Sequence, residues 1–141
     1  MAIDKELIEK KLDTLGDFIR QIEQMDFDEV GLTESKDIQQ LLSFRLQQAV
    51  ETAIDIATYL IAGLSLERQE TAKDAFEVLG KGKIITGKLA KNMALACDFR
   101  NLVVYGYQKI DFKRLFYDYQ DDLADLREFA RQINNFLEKN Q

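Results

Sequence analysis

Not one proline interrupts the 141 residues of this chain. Proline is the strongest helix breaker and the common punctuation of loop-rich β folds, so its absence leaves long, unbroken helices as the natural outcome. The apolar residues agree. Ile3, Leu7, Ile8, Leu12, Leu15, Phe18, Ile19 and Ile22 recur at spacings of three and four, the pattern of a helix with one face in a core. Residues 26–31 then read as a connection. A longer stripe runs Ile38, Leu41, Leu42, Leu46, Ala49, Val50, Ala53, Ile54, Ala57, Leu60 and Ile61, with Thr33 or Ser35 as its cap and Gly63 as its stop.

Thr71-Ala72-Lys73-Asp74 resembles a capping box and opens a short helix through Leu79, which residues 80–83 close. Leu89, Met93, Ala96 and Cys97 mark a fourth helix reaching toward Val104, with Gly106 at its end or at a kink. Asp111 caps a fifth, whose apolar side carries Phe112, Leu115, Phe116, Tyr119, Leu123, Leu126, Phe129, Ile133, Phe136 and Leu137. No segment sustains the period-2 alternation of a strand. The expected fold is all-α: an antiparallel bundle of four main helices plus one short helix, in a single domain spanning 1–141. With 46% hydrophobic and 31% charged residues, the chain has enough apolar material to bury a core.

Absent residues narrow the chemistry. The chain has no histidine, which removes the commonest general base at neutral pH and the commonest metal ligand. Its lone cysteine, Cys97, has no partner for an internal disulfide. The start, Met1-Ala2-Ile3-Asp4-Lys5-Glu6, lacks the basic and apolar regions of a secretory signal. The most apolar stretch, residues 53–66, is too short to span a bilayer and carries Asp55. A cytoplasmic protein without membrane contact is expected. Net charge is −6, yet residues 81–114 hold eight basic groups (Lys81, Lys83, Lys88, Lys91, Arg100, Lys109, Lys113, Arg114) against Asp98 and Asp111 alone. Such a segment can attract a polyanion if its charges converge on one surface, and is otherwise a set of solvated helix faces.

Three stretches carry candidate chemistry. Gly82-Lys83-Ile84-Ile85-Thr86-Gly87-Lys88 matches seven positions of a phosphate-binding loop. Leu89 occupies the place of the magnesium-holding Ser or Thr, and a helix rather than a strand precedes it, so it reads as a helix–helix connection. Glu51 and Asp55 sit one turn apart on one helix, placed to meet a basic partner. No third ligand has suitable spacing, so neither metal nor cofactor is expected. Arg100 is the most informative. It shares the apolar stripe of Leu89 and Met93, where a charge is tolerated only when paired or facing a cleft. Its partner is Asp55 or Glu51 if its role is structural, and a phosphate if its planar fork is used for binding. Tyr107 follows seven residues later and Tyr105 lies four beyond Asn101, and both rings offer stacking and a hydroxyl to RNA or a nucleotide.

These residues resemble the HepT-like branch of the HEPN proteins. The resemblance covers most of the chain, including Glu51-Thr52-Ala53-Ile54-Asp55-Ile56-Ala57 and residues 75–85. It is strongest at Asp98-Phe99-Arg100-Asn101-Leu102-Val103-Val104-Tyr105-Gly106-Tyr107-Gln108-Lys109-Ile110-Asp111. The family pattern there is Arg, four residues, His, one residue, Tyr, then Ile-Asp. The resemblance implies a helical homodimer with both motifs facing a shared cleft, acting as a metal-independent endoribonuclease toxin on RNA. It also implies a minimal nucleotidyltransferase antitoxin that modifies the motif tyrosine with AMP. On that basis Arg100 contacts the scissile phosphate, Asn101 and Lys109 support RNA binding, Tyr107 is the modified residue, and Asp55 and Glu51 stand behind Arg100.

The chain departs from the pattern at its centre, where Tyr105 occupies the histidine position. Cleavage without a metal needs a base for the 2′-hydroxyl and an acid for the leaving oxygen. An ordinary tyrosine ionises near pH 10, so only about one in a thousand is a phenolate at pH 7. That deficit raises the barrier by about 4 kcal/mol for a base of this type. Tyr105 keeps the capacity to donate a proton, so impaired ribonuclease activity is expected. The alternatives are a non-catalytic module that binds a nucleotidyltransferase or RNA, and a plain helical scaffold.

Overall fold

Six α-helices form among residues 3–140, the part of the chain that the computed structural model describes. They are α1 (Lys5–Glu23), α2 (Glu29–Glu34), α3 (Lys36–Gly63), α4 (Ala72–Lys81), α5 (Gly87–Tyr105) and α6 (Phe112–Lys139), with a 3-10 turn at Tyr107–Lys109. The fold is the expected all-α bundle, with four long helices. A side-chain oxygen closes each N-terminus. Asp4, Asp28, Ser35, Thr71, Thr86 and Asp111 accept from the backbone N–H of Leu7, Gly31, Ile38, Asp74, Leu89 and Arg114.

Two local expectations change. The connection at residues 26–31 contains the start of α2, which Asp28 caps at 2.7 Å and which buries only Leu32. Ser35 rather than Thr33 then caps α3. At the other end of α3, Gly63 remains helical and Ser65 takes the left-handed backbone (φ 54°), as Lys83 does after α4 (φ 61°). In both turns the next N–H, of Leu66 or Ile84, bonds the carbonyl five residues back, and the buried Ile84 then seals the end of α4.

One apolar cluster runs through the bundle. Ile8, Leu15 and Ile22 of α1 meet the long α3 stripe, while Phe76 of α4 and Phe129 of α6 pack edge to face at 5.6 Å. A methyl group on Gly80 of α4 would lie 3.0 Å from the Ala90 side chain, so these two helices cross at close range. That crossing aims α5 and holds its far end, residues 97–105, beside the middle of α3. No helix among the described residues is long and apolar enough to cross a membrane.

Candidate functional site

Helix α5 buries Leu89, Met93, Ala96 and Cys97 on one side, and Arg100 continues that side. Its guanidinium is therefore drawn inward, with its side chain only 15% exposed. Nη1 pairs with Glu51 Oε1 of α3 at 3.2 Å. Glu51 is thus the partner, and Asp55, expected as the alternative, points to solvent one turn further on. A flanking pair, Lys73 with Asp98 at 3.0 Å, ties α4 to α5 beside it.

Among the described residues, three buried side-chain polar atoms lack a hydrogen-bond partner: Ser43 Oγ, Arg100 Nε and Tyr107 Oη. Two of the three are the ends of the motif. Buried polar groups are nearly always satisfied in stable folds, so two orphans within one short sequence motif stand out. Tyr107 does not continue α5. That helix stops at Tyr105, its last turn closed by Gly106 N–H on the Leu102 carbonyl (2.9 Å), and Tyr107 opens the 3-10 turn. Its ring folds inward onto Phe112 at 5.9 Å. Tyr105 behaves oppositely: it is 82% exposed. Asn101 and Lys109 are exposed as well, and the Lys109 stem lies over Gly106.

Burial pushes the Cys97 thiol up to about 11, with the nearby Arg100 opposing, so this sulfur is an inert core atom. The two tyrosines of α6 make contacts toward α2 and the residues before it. Tyr119 packs on Phe27 at 5.6 Å, and the Tyr117 hydroxyl donates to Glu29 of α2. The near match to a phosphate loop joins α4 to α5, and the Thr86 N–H there is already held by Gln132 Oε1 at 2.8 Å. No group of three or more His, Cys, Asp or Glu residues among those described is placed to hold a metal ion.

The Glu51–Arg100 contact separates two carboxylates that spacing alone left equivalent. Glu51→Ala is expected to lower stability by about 1–2 kcal/mol by stranding a buried guanidinium. Asp55→Ala should stay within about 0.5 kcal/mol of wild type. Urea unfolding of both proteins checks this, and equal losses would reassign the partner.

On its outer side α5 leaves Leu95, Phe99 and Leu102 along a cleft of about 830 Å³ facing α6. Leu95 is 64% exposed. Sequence reasoning missed this cleft, whose α6 wall carries Asp118, Asp121, Asp122 and Asp125 and whose remaining charges are Asp98, Asp111, Lys109 and Arg114. Burial, then the neighbouring aspartates, pushes Asp122 from the ordinary 3.8 to about 6. The folded state therefore holds this proton more tightly than the unfolded chain, and stability falls as pH rises from about 4 to about 6. Asp122→Asn should remove that loss, adding about 2–3 kcal/mol at pH 8 and almost nothing at pH 4. Thermal melts at the two pH values test it, and an equal gain at both would assign the effect to packing.

Comparison with known proteins places these features. A family model described as ribonuclease HepT-like matches residues 8–133. A tRNA nuclease HepT of Aphanizomenon flos-aquae is 32% identical over 138 residues, which is 96% of this chain and 92% of that one. The tri-AMPylated HEPN toxin of Shewanella oneidensis, solved in complex with its MNT antitoxin, superposes with a TM-score of 0.86 at 25% identity. That match covers 94% of this chain and 99% of the toxin. The cytosolic protein YutE of Bacillus subtilis shares the fold, with a TM-score of 0.85, 19% identity, and coverage of 99% and 94%.

Proposed function

Because the chain belongs to the HepT-like ribonuclease family, we propose that it is the RNA-directed toxin half of a pair whose other half is a minimal nucleotidyltransferase. The observation that carries this reading is the pair of orphaned polar atoms, Arg100 Nε and Tyr107 Oη, in one motif. Glu51 anchors the guanidinium at Nη1, and Nε, buried without a protein partner, is left for a phosphate oxygen that enters as the site opens. The substrate's own 2′-hydroxyl attacks the bound phosphorus, and Tyr105 is the group placed to protonate the leaving 5′-oxygen. The chain supplies no imidazole to take the 2′ proton, so turnover is slow. Asn101 and Lys109 flank the same turn as RNA contacts.

A second copy supplies the facing motif. The exposed Leu95 of α5, with the half-buried Phe99 and Leu102 beside it along the cleft, supports this homodimer, since an apolar residue left open on a helix needs a cover. The nucleotidyltransferase partner is supported by the antitoxin bound to the Shewanella toxin.

End-labelled tRNA incubated with the purified chain in a chelator tests the proposal. The expected products are fragments ending in 2′,3′-cyclic phosphate, accumulating with protein concentration. One observation favours a second reading, a binding module without turnover: Tyr105 replaces the family histidine. That reading gives salt-sensitive RNA retention with no fragments, weakened by charge reversal at Lys109 and Lys113. Absence of both fragments and retention would remove RNA from the account.

A further inference from the structure

The end of the bundle remote from the motif has a concavity of its own, and its charge runs against that of the chain. Where α6 finishes beside the turn between α4 and α5, a cleft of about 580 Å³ opens. Lys83, Arg131 and Lys139 line it, and no carboxylate among the described residues does, although the chain carries a net charge of −6. Its apolar surface is the half-buried Phe136 with the buried Ile84 and Ile85.

The wall is tied together by its own side chains. Arg131 donates from Nε (2.6 Å) and Nη2 to the Glu128 carboxylate. Glu128 also accepts from Gln132 Nε2 at 3.0 Å, and Gln132 Oε1 takes the Thr86 N–H of the facing turn at 2.8 Å. These bonds, from Arg131 first, hold the Glu128 carboxyl down at about 2, so it stays ionised and cancels one of the three cations. Lys83 and Lys139 have no ion-pair partner among the described residues. Lys83 also holds the left-handed backbone (φ 61°), at a helix-end position that ordinarily selects glycine. The chain keeps a lysine on this cleft against its conformational preference.

We propose that this cleft is a second RNA contact, where one unpaired nucleotide stacks on Phe136 and its flanking phosphates meet Lys83 and Lys139. The inference rests on the reading that the chain acts on RNA. The chemistry suits a nucleotide better than a bare phosphate. An aromatic face between point charges is the arrangement that holds unpaired bases on a charged backbone. The Asn135 amide, also on the lining, offers a donor and an acceptor to a base edge. Helix α5 begins at the cleft with Gly87 and ends at Tyr105, about 27 Å away at the rise of an α-helix. A substrate that fills both places is therefore a folded RNA rather than a short oligonucleotide. The cleft adds affinity and selects for size without touching the reacting phosphate.

Fluorescently labelled tRNA is titrated with the full chain over a range of salt concentrations. Lys83→Gln/Lys139→Gln is set beside Lys10→Gln/Lys36→Gln, which removes the same charge at exposed positions outside the cleft. The cleft pair should weaken binding about tenfold at about 0.1 M salt and flatten the log–log salt slope by about 1.5, the share of two phosphate contacts. The control pair should stay within about twofold of wild type, because distant exposed charges are screened. Phe136→Leu keeps an apolar side chain but loses the ring, and should bind about fivefold more weakly. All three variants should melt close to wild type. Equal weakening by the two lysine pairs, or full affinity in Phe136→Leu, overturns the inference and leaves the RNA reading intact. AMP alone is the second probe. Heat of AMP binding that the cleft pair abolishes, with tRNA affinity unmoved, overturns the inference in favour of a free nucleotide. Failure of wild type to bind tRNA overturns both readings.

Discussion

Tyr105→His is expected to raise RNA cleavage by about two to four orders of magnitude, the usual contribution of a positioned general acid–base group. The position suits the exchange. Tyr105 is exposed and makes no hydrogen bond to the rest of the fold, so a histidine there meets no packing penalty. An imidazole open to solvent titrates near pH 6.5, so about half is neutral at that pH and can take the 2′-hydroxyl proton. The variant's rate should therefore also rise with pH through about 6.5 and level off above it, as the neutral imidazole becomes the dominant form. Initial rates on labelled tRNA from pH 5 to pH 9 provide the measurement. A rate equal to wild type at every pH would mean that the loss of histidine is not what limits this chain.

Arg100→Ala, made in that Tyr105→His background, is expected to reduce cleavage by about two to three orders of magnitude, as the loss of one preorganised charge-stabilising donor does elsewhere. The background supplies enough turnover for the loss to be read. Arg100→Lys should recover little, because a point ammonium lacks the planar fork needed to engage Glu51 and a phosphate at once. A thermal melt separates the two sources of loss. Alanine leaves Glu51, which is 36% exposed, to be solvated, so the fold should survive with a modest drop in midpoint. An Arg100→Ala protein that cuts RNA at the parental rate would show that the arginine only holds α5 to α3.

The long helices were legible because each repeats its apolar spacing over several turns and begins on an oxygen-bearing cap. Helix α2 was not, since six residues with one buried leucine carry no measurable period. The inward turn of Arg100 followed from its register with Met93 and Leu89. Its partner did not. Glu51 and Asp55 differ by about 40° around their helix, and only the rotation of α3 against α5 decides which carboxylate meets the guanidinium. That rotation is a tertiary quantity. The end of α5 at Gly106 was legible, but the direction of Tyr107 was not: beyond Gly106 the 3-10 turn resets the direction of every side chain. The opposed exposures of the two tyrosines thus arise at a helix terminus, where periodicity has no authority.

The contrast between a clamped Arg100 and an unencumbered Tyr105 has a bearing on how such a chain changes over generations. Losing the arginine at 100 costs the fold its pair with Glu51 as well as any contact to RNA. Position 105 bears none of that load. Tyrosine and histidine codons differ by a single base, and the exchange is expected to leave stability within about 0.5 kcal/mol. If histidine at 105 restores cleavage, a disarmed chain and an armed one differ by one point mutation that the folding of the protein does not register.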